Sequence, residues 1–291
     1  MSSILIIQSN CLIAVSICAS MLAFWFDYNT NIVFFMLAMG LIVLFGVPHG
    51  ALDVLFARQT YGLTNYTSWL KFLVAYVAAA IAIVLTWVII PNVFFIIFLM
   101  LSLIHFSDDL NIRGINLTKM TYAASIIVMP SLFYSAELIN FYSMIIDFHV
   151  AKSLVHLCQF LIYPIALMLI IQFLSKKIEL RTKIEIFSVV LIMSVITPVV
   201  AFALYFCFMH SARHVIRSVF FLNEFTKRTF LIALIVPTIS VIIIGTIIGM
   251  ITFTQSIETD LIRIIFIGLA ALTVPHAWLL KRSKFLKADI E

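Results

Sequence analysis

The sequence predicts an all-α integral membrane protein, a bundle of about ten transmembrane helices. Three observations predict it. Of the 291 residues, 64% are hydrophobic and only 11% are charged, where a soluble domain averages about a quarter charged. Apolar runs of about 20 residues, the length that crosses a bilayer, recur from end to end. The loop cations fall in alternate loops, the signature of a fixed orientation in a membrane. The chain reads as a single transmembrane domain over residues 1–291, without a soluble domain, linker or low-complexity segment.

The first run, 4–26, has no basic flank, because the first cation is Arg58. It reads as a retained span and not as a cleaved leader. The second, 32–56, contains Pro48, which lacks an N–H and presses on the carbonyl of Leu44, so a kink is expected there. In the same run Gly46 and Gly50 form a small-xxx-small pattern that lets a neighbouring helix approach. Runs 69–90 and 93–109 are punctuated by Pro91-Asn92, and 120–140 and 154–174 follow. Residues 184–222 form a longer apolar block of 39 residues. As one helix it would measure about 58 Å, against a hydrocarbon core of about 30 Å. Thr197-Pro198, near its middle, divides it in two. Runs 229–253 and 261–280 complete ten spans.

The cations support that division. With ten spans, fourteen of the eighteen face one side: Arg58, Lys71, Arg113, Lys119, Lys176, Lys177, Arg181, Lys183, Lys227, Arg228, Lys281, Arg282, Lys284 and Lys287. The other side has Lys152 and Arg263, and Arg213 and Arg217 lie inside the eighth span. Nine spans would spread the charge evenly. The expectation is therefore a multi-pass protein of the cell membrane with both termini cytoplasmic. The net charge of +5 comes mainly from loops and tail; it fits lipid headgroups and excludes nucleic-acid binding as the first reading. The cysteines, Cys11, Cys18, Cys158 and Cys207, lie in apolar runs and read as small buried hydrophobes. The 27 phenylalanines suit lipid-facing helices and would equally suit a long apolar substrate.

Against this background five histidines stand out. Imidazole is costly in hydrocarbon and marks functional sites there. His49, His105, His210, His214 and His276 fall in spans 2, 4, 8 and 10, all running the same way and all in the cytoplasm-proximal part. They share a depth and are expected to converge on a buried polyhistidine metal site. His210 and His214, at i and i+4, lie on one helix face; the Ser-Ala-Arg between them lacks the glutamate of a zinc-protease helix. The competing reading is a hydrogen-bonded polar pair between helices. Asp53 lies one turn after His49 and needs an imidazole N–H or an arginine such as Arg213; a structural salt bridge is its competing reading. Asp108 and Asp109 follow His105 at i+3 and i+4, and one of them is placed to orient an imidazole. His276 follows a proline, as His49 does, but sits nearest the charged tail, where a helix-end histidine is as natural as a ligand. His149 and His156 read as interfacial.

Neutral imidazoles suit iron, copper and zinc, and exclude an oxygen-ligated magnesium or calcium site. Four imidazoles leave open positions on an octahedral ion. Dioxygen chemistry there requires a redox metal, so Fe(2+) ranks first; zinc would activate water instead, which keeps a hydrolase open.

Gly46-Val-Pro-His-Gly-Ala-Leu-Asp53, His105-Phe-Ser-Asp-Asp109, His210-Ser-Ala-Arg-His214 and Pro275-His276 resemble, in order and over nearly the whole chain, the Brp/Blh family of membrane β-carotene 15,15′-dioxygenases. The resemblance implies cleavage of β-carotene by O2 at its central double bond to two retinal molecules, the chromophore of microbial rhodopsins. It implies ferrous iron held at the positions of His49, His105, His210 and His214. Asp53, Asp108, Asp109, Arg213 and His276 are then expected around the metal, with His276 near it but not bound. A carotene dissolves in lipid, so an enzyme within the bilayer takes it sideways, into a long apolar tunnel past the metal. The chain is not itself a rhodopsin, since no lysine lies mid-span for a Schiff base. Two other classes compete: a metal-ion or proton transporter using the same acids and histidines as a relay, and a desaturase or hydroxylase. The latter calls for two irons and adjacent histidines, which this chain lacks.

Overall fold

The computed structural model describes residues 2–23, 25, 32–112, 116–252, 256–283 and 285. Both chain ends, residues 24 and 26 of the first run, residue 253 and the cations Arg113, Lys284 and Lys287 lie outside the described residues.

Among the described residues the protein is all-helical, with eleven helices. They are α1 (Ser2–Ala23), α2 (Ile32–Tyr61), α3 (Tyr66–Ile89), α4 (Pro91–Ser107), α5 (Asn116–Val128), α6 (Ser135–Ser143), α7 (Phe148–Leu174), α8 (Leu180–Val195), α9 (Pro198–Phe221), α10 (Lys227–Thr252) and α11 (Ile257–Ser283). Six of these, α1, α2, α3, α7, α9 and α10, are long and apolar enough to cross a membrane. The α5–α6 pair passes the same test together but bends by 99° at its break, so run 120–140 is not one straight helix. The cause is Pro130, which cannot donate to the preceding turn and sits in a 3₁₀ turn, Met129–Ser131. Helices α4 and α8 are shorter, at 17 and 16 residues. Helix α11 carries Glu258, Asp260 and Arg263 in its first turns and Lys281 and Arg282 in its last.

Local chemistry sets the boundaries. Asn65 caps α3 by accepting from the Ser68 N–H at 2.8 Å. Asp147 caps α7, accepting from the N–H groups of His149 and Val150. Gly62, at φ +59°, ends α2 in the left-handed conformation that glycine adopts without strain. The break expected at Thr197-Pro198 is present: α8 ends at Val195 and Pro198 opens α9. The strain that Pro48 puts on the Leu44 carbonyl is met by a π turn over Ile42–Gly46. A second π turn, Phe206–Ser211, holds His210. Such turns insert one residue into a helix and recur at functional sites. Gly50 has open space where a Cβ would sit, so no close neighbour requires glycine there.

The outward surfaces are oily. No residue of α3 is buried, and Val74, Ile81, Leu85 and Val88 are all exposed. Exposed apolar area of this extent fits lipid and not water. The same reasoning corrects the reading of the cysteines: Cys158 and Cys207 are buried, but Cys11 and Cys18 are exposed along α1, where an apolar thiol needs no protein cover if lipid supplies it.

The chain forms two compact units, Met1–Ile42 with Leu99–Arg213, and Val43–Phe98 with His214–Glu291. It passes from one to the other three times, each time inside a helix. In the first unit α1 packs on α8, α7 on α5 and α6, and the start of α9 on the start of α2. A buried guanidinium ties this unit together. Arg213 donates to Glu185 at 2.8 and 3.1 Å, twice to Gln8 Oε1 at 2.9 and 3.0 Å, and to the Asp109 carbonyl at 2.9 Å. A guanidinium with every donor matched, two of them by a carboxylate, is the form in which an arginine can be buried. In the second unit α11 packs on α3, α10 and the end of α2. Phe56, Leu52, Leu222, Leu279 and Phe285 form its apolar centre.

Removing one member of a buried ion pair strands the other. Glu185→Ala is therefore expected to destabilise the folded protein by about 3–5 kcal/mol, read by equilibrium unfolding in SDS-containing mixed micelles. Arg213→Met combined with Glu185→Leu should recover most of that loss.

Candidate metal centre

In the second unit three imidazoles come together from three helices. His49 arrives on α2 just after its π turn, His214 on α9 and His276 on α11 after Pro275. All three are buried. Their ring centres lie 5.5 Å (His49 to His214), 5.2 Å (His49 to His276) and 5.0 Å (His214 to His276) apart. Potential ligand nitrogens of His49 and His276 lie within 4.8 Å of each other. Each ring is held through Nδ1. His49 Nδ1 meets the Gly46 carbonyl, one turn back within the π segment. His214 Nδ1 meets Ser218 Oγ at 3.4 Å. His276 Nδ1 donates to Asp53 Oδ1 at 2.6 Å, and Tyr76 on α3 donates to Asp53 Oδ2 at 2.7 Å. Of the two partners considered for Asp53, the imidazole is the one present. Phe56 and Phe285 pack against the His214 ring and shield it.

In the first unit His105 on α4 and His210 on α9 have ring centres 4.7 Å apart. Asp109 accepts from His210 Nδ1 at 2.8 Å and from Tyr205 Oη at 2.6 Å. The imidazole it meets therefore lies on another helix from the His105 four residues before it. Phe106 and Phe206 flank the His210 ring. Arg213 reaches the Asp109 backbone and Glu185. Asp108 is half-buried. The Cys207 thiol donates to the Leu41 carbonyl at 3.3 Å. His149 and His156 are exposed.

The donor set fits a late first-row metal ion. An imidazole whose Nδ1–H is held by an oxygen is fixed in the tautomer that offers Nε2 as ligand, and a carboxylate in that position raises its basicity. The Nε2 atoms of His105, His210, His214 and His276 are shielded from solvent. Nitrogen donors in an aromatic shell suit iron, copper or zinc and not a hard oxygen-seeking cation.

Five partners were not singled out from the sequence: Tyr76, Tyr205, Ser218, Glu185 and Gln8. Glu185 and Gln8 had a signal, a polar side chain inside an apolar run. The others did not, because nothing in a sequence shows which hydroxyl meets which carboxylate.

The comparisons with known proteins agree with this chemistry. The sequence matches the β-carotene 15,15′-dioxygenase family over residues 40–282, which include all five buried-span histidines. A β-carotene 15,15′-dioxygenase from the uncultured marine bacterium 66A03 is 28% identical over 247 residues, covering 82% of this chain and 90% of that protein. No solved structure matches.

Asp109→Asn keeps the shape of the site but removes the charge that orients His210. It should lower divalent-metal affinity about 10–100-fold, measured by titration against a competing chelator. Equal affinity in the variant and the wild type would show that the carboxylate serves packing alone.

Proposed function

Because the chain belongs to the β-carotene 15,15′-dioxygenase family and is thereby a carotenoid-cleaving oxygenase, we propose that it is a membrane-embedded, iron-dependent enzyme. In this reading it cleaves β-carotene with O2 at the central 15,15′ double bond, giving two retinal molecules for use by a microbial rhodopsin. The observation that carries the reading is the family match spanning every histidine motif. The orienting contacts on Nδ1 support it from the side of the chemistry.

The proposed ligands of Fe(2+) are His49, His105, His210 and His214. When bound, ferrous iron supplies the redox capacity to activate dioxygen, which no side chain of the protein can do. The protein contributes placement. Asp109 and Tyr205 fix the plane of the His210 ring, and the Gly46 carbonyl that of His49. Phe56, Phe106, Phe206 and Phe285 keep water from the rings. Arg213 is held by Glu185 and fixes the backbone at Asp109. With such a site the remaining task is to hold one double bond of a rigid polyene beside the metal, which is catalysis by orientation.

We further propose that residues 1–291 act as one transmembrane domain of ten spans, with α4, α8 and α11 crossing alongside the six longer helices and the bent α5–α6 pair. Both termini are then cytoplasmic, a reading that the cation distribution supports.

Co-expression with β-carotene biosynthesis tests the activity. Loss of orange colour with appearance of retinal is expected; unchanged pigment would favour a transporter. In the same assay His49→Ala, His105→Ala, His210→Ala and His214→Ala should each leave the pigment intact and lower bound iron, whereas His149→Ala and His156→Ala should behave as wild type. Any of the four that keeps full activity and full iron is not a ligand.

Topology has its own test. Reporter fusions after Asn223 and after Glu291 should both report cytoplasm, and an external signal from the second would exclude ten spans.

A further inference from the structure

Each compact unit contains the same chain of three side chains. In one, Tyr205 Oη donates to Asp109 Oδ2 at 2.6 Å and His210 Nδ1 to Asp109 Oδ1 at 2.8 Å. In the other, Tyr76 Oη donates to Asp53 Oδ2 at 2.7 Å and His276 Nδ1 to Asp53 Oδ1 at 2.6 Å. The aspartate in each case lies four residues after a further histidine, His105 in the first unit and His49 in the second. In each case that histidine's ring is close to the one the aspartate holds, at 4.7 Å between centres for His105 and His210 and 5.2 Å for His49 and His276. The two arrangements agree in residue types, in carboxylate oxygens, in ring nitrogen and in the four-residue spacing from the further histidine to the aspartate.

We infer that His276 is a metal ligand, held by Asp53 and Tyr76 as His210 is held by Asp109 and Tyr205. This rests on the reading of the site as an iron centre. A histidine kept only for packing needs one neutral acceptor. A buried carboxylate is a costly way to provide it, and the cost is offset when a cation sits across the imidazole. The spacings agree. With nitrogens about 2.1 Å from an ion, three imidazoles at open angles place their ring centres about 5 Å apart. His49, His214 and His276 are separated by 5.0–5.5 Å. Asp53 and Tyr76 are then positioning residues, not general acids. This departs from the sequence expectation of His276 as a pocket residue near the metal.

The test uses the full chain purified without oxygen in detergent, and reads iron per chain and iron(II) affinity against a competing chelator. Wild type should hold iron. His276→Gly should lose it to the same extent as His210→Gly, and added imidazole should restore binding to both, which a purely structural histidine would not allow. Tyr76→Phe, which removes only a hydroxyl, should weaken affinity by about 10-fold, the lower end for loss of an orienting partner. If His210→Gly loses iron while His276→Gly matches wild type, the inference fails and the iron centre stands. If His276→Gly does not fold, Tyr76→Phe decides, and unchanged affinity there overturns the inference. Wild-type protein that takes up no iron would overturn the iron reading itself.

Discussion

A carboxylate inside an apolar helix bundle must be matched by donors on every side it presents, and that constraint organises the interior of this protein. Asp53 and Asp109 each spend one oxygen on a tyrosine and the other on an imidazole Nδ1. Asp53 ties three helices together, since Tyr76, Asp53 and His276 come from α3, α2 and α11, whereas Asp109, just past the end of α4, is tied to Tyr205 and His210 of the single helix α9. The imidazoles gain a defined tautomer and ring plane in return. The cost of burying two acids is in this way turned into the preorganisation that a metal centre requires.

Other polar groups follow the same logic at greater distance. Arg213 lies between two histidines of one helix but belongs to the structural part of the site. Its guanidinium is consumed by Glu185, Gln8 and the Asp109 carbonyl. It therefore fixes the backbone that carries Asp109 instead of meeting substrate. The two π turns complete the arrangement. Each adds a residue to a helix whose histidine must be aimed, at Ile42–Gly46 ahead of His49 and at Phe206–Ser211 around His210.

Much of this was legible in the sequence, for identifiable reasons. Length and hydropathy alone mark α1, α2, α3, α7, α9 and α10, because lipid contact demands long apolar runs. Thr197-Pro198 was readable as a break because proline cannot continue a helix. The bend at Pro130 was not read, since the apolar run continues through it and the fold of α5 against α6 depends on tertiary packing. Histidines within spans stood out because imidazole is rare there, and Asp53 and Asp109 did so because they follow those histidines at helical spacing. Their partners did not. Spacing of four residues pointed Asp109 towards His105 on its own helix, whereas the fold gives it His210. Tyr76 and Tyr205 are two of nine tyrosines with nothing local to distinguish them. Pairing across helices is decided by packing, which the pattern of one strand of sequence does not contain.

Iron K-edge X-ray absorption on the full-length protein, purified without oxygen, tests the central claim most directly. The account predicts a first shell of nitrogen at about 2.0–2.2 Å, with the outer-shell scattering of imidazole rings dominating the spectrum. A first shell of sulfur, or one of oxygens without imidazole scattering, would contradict it.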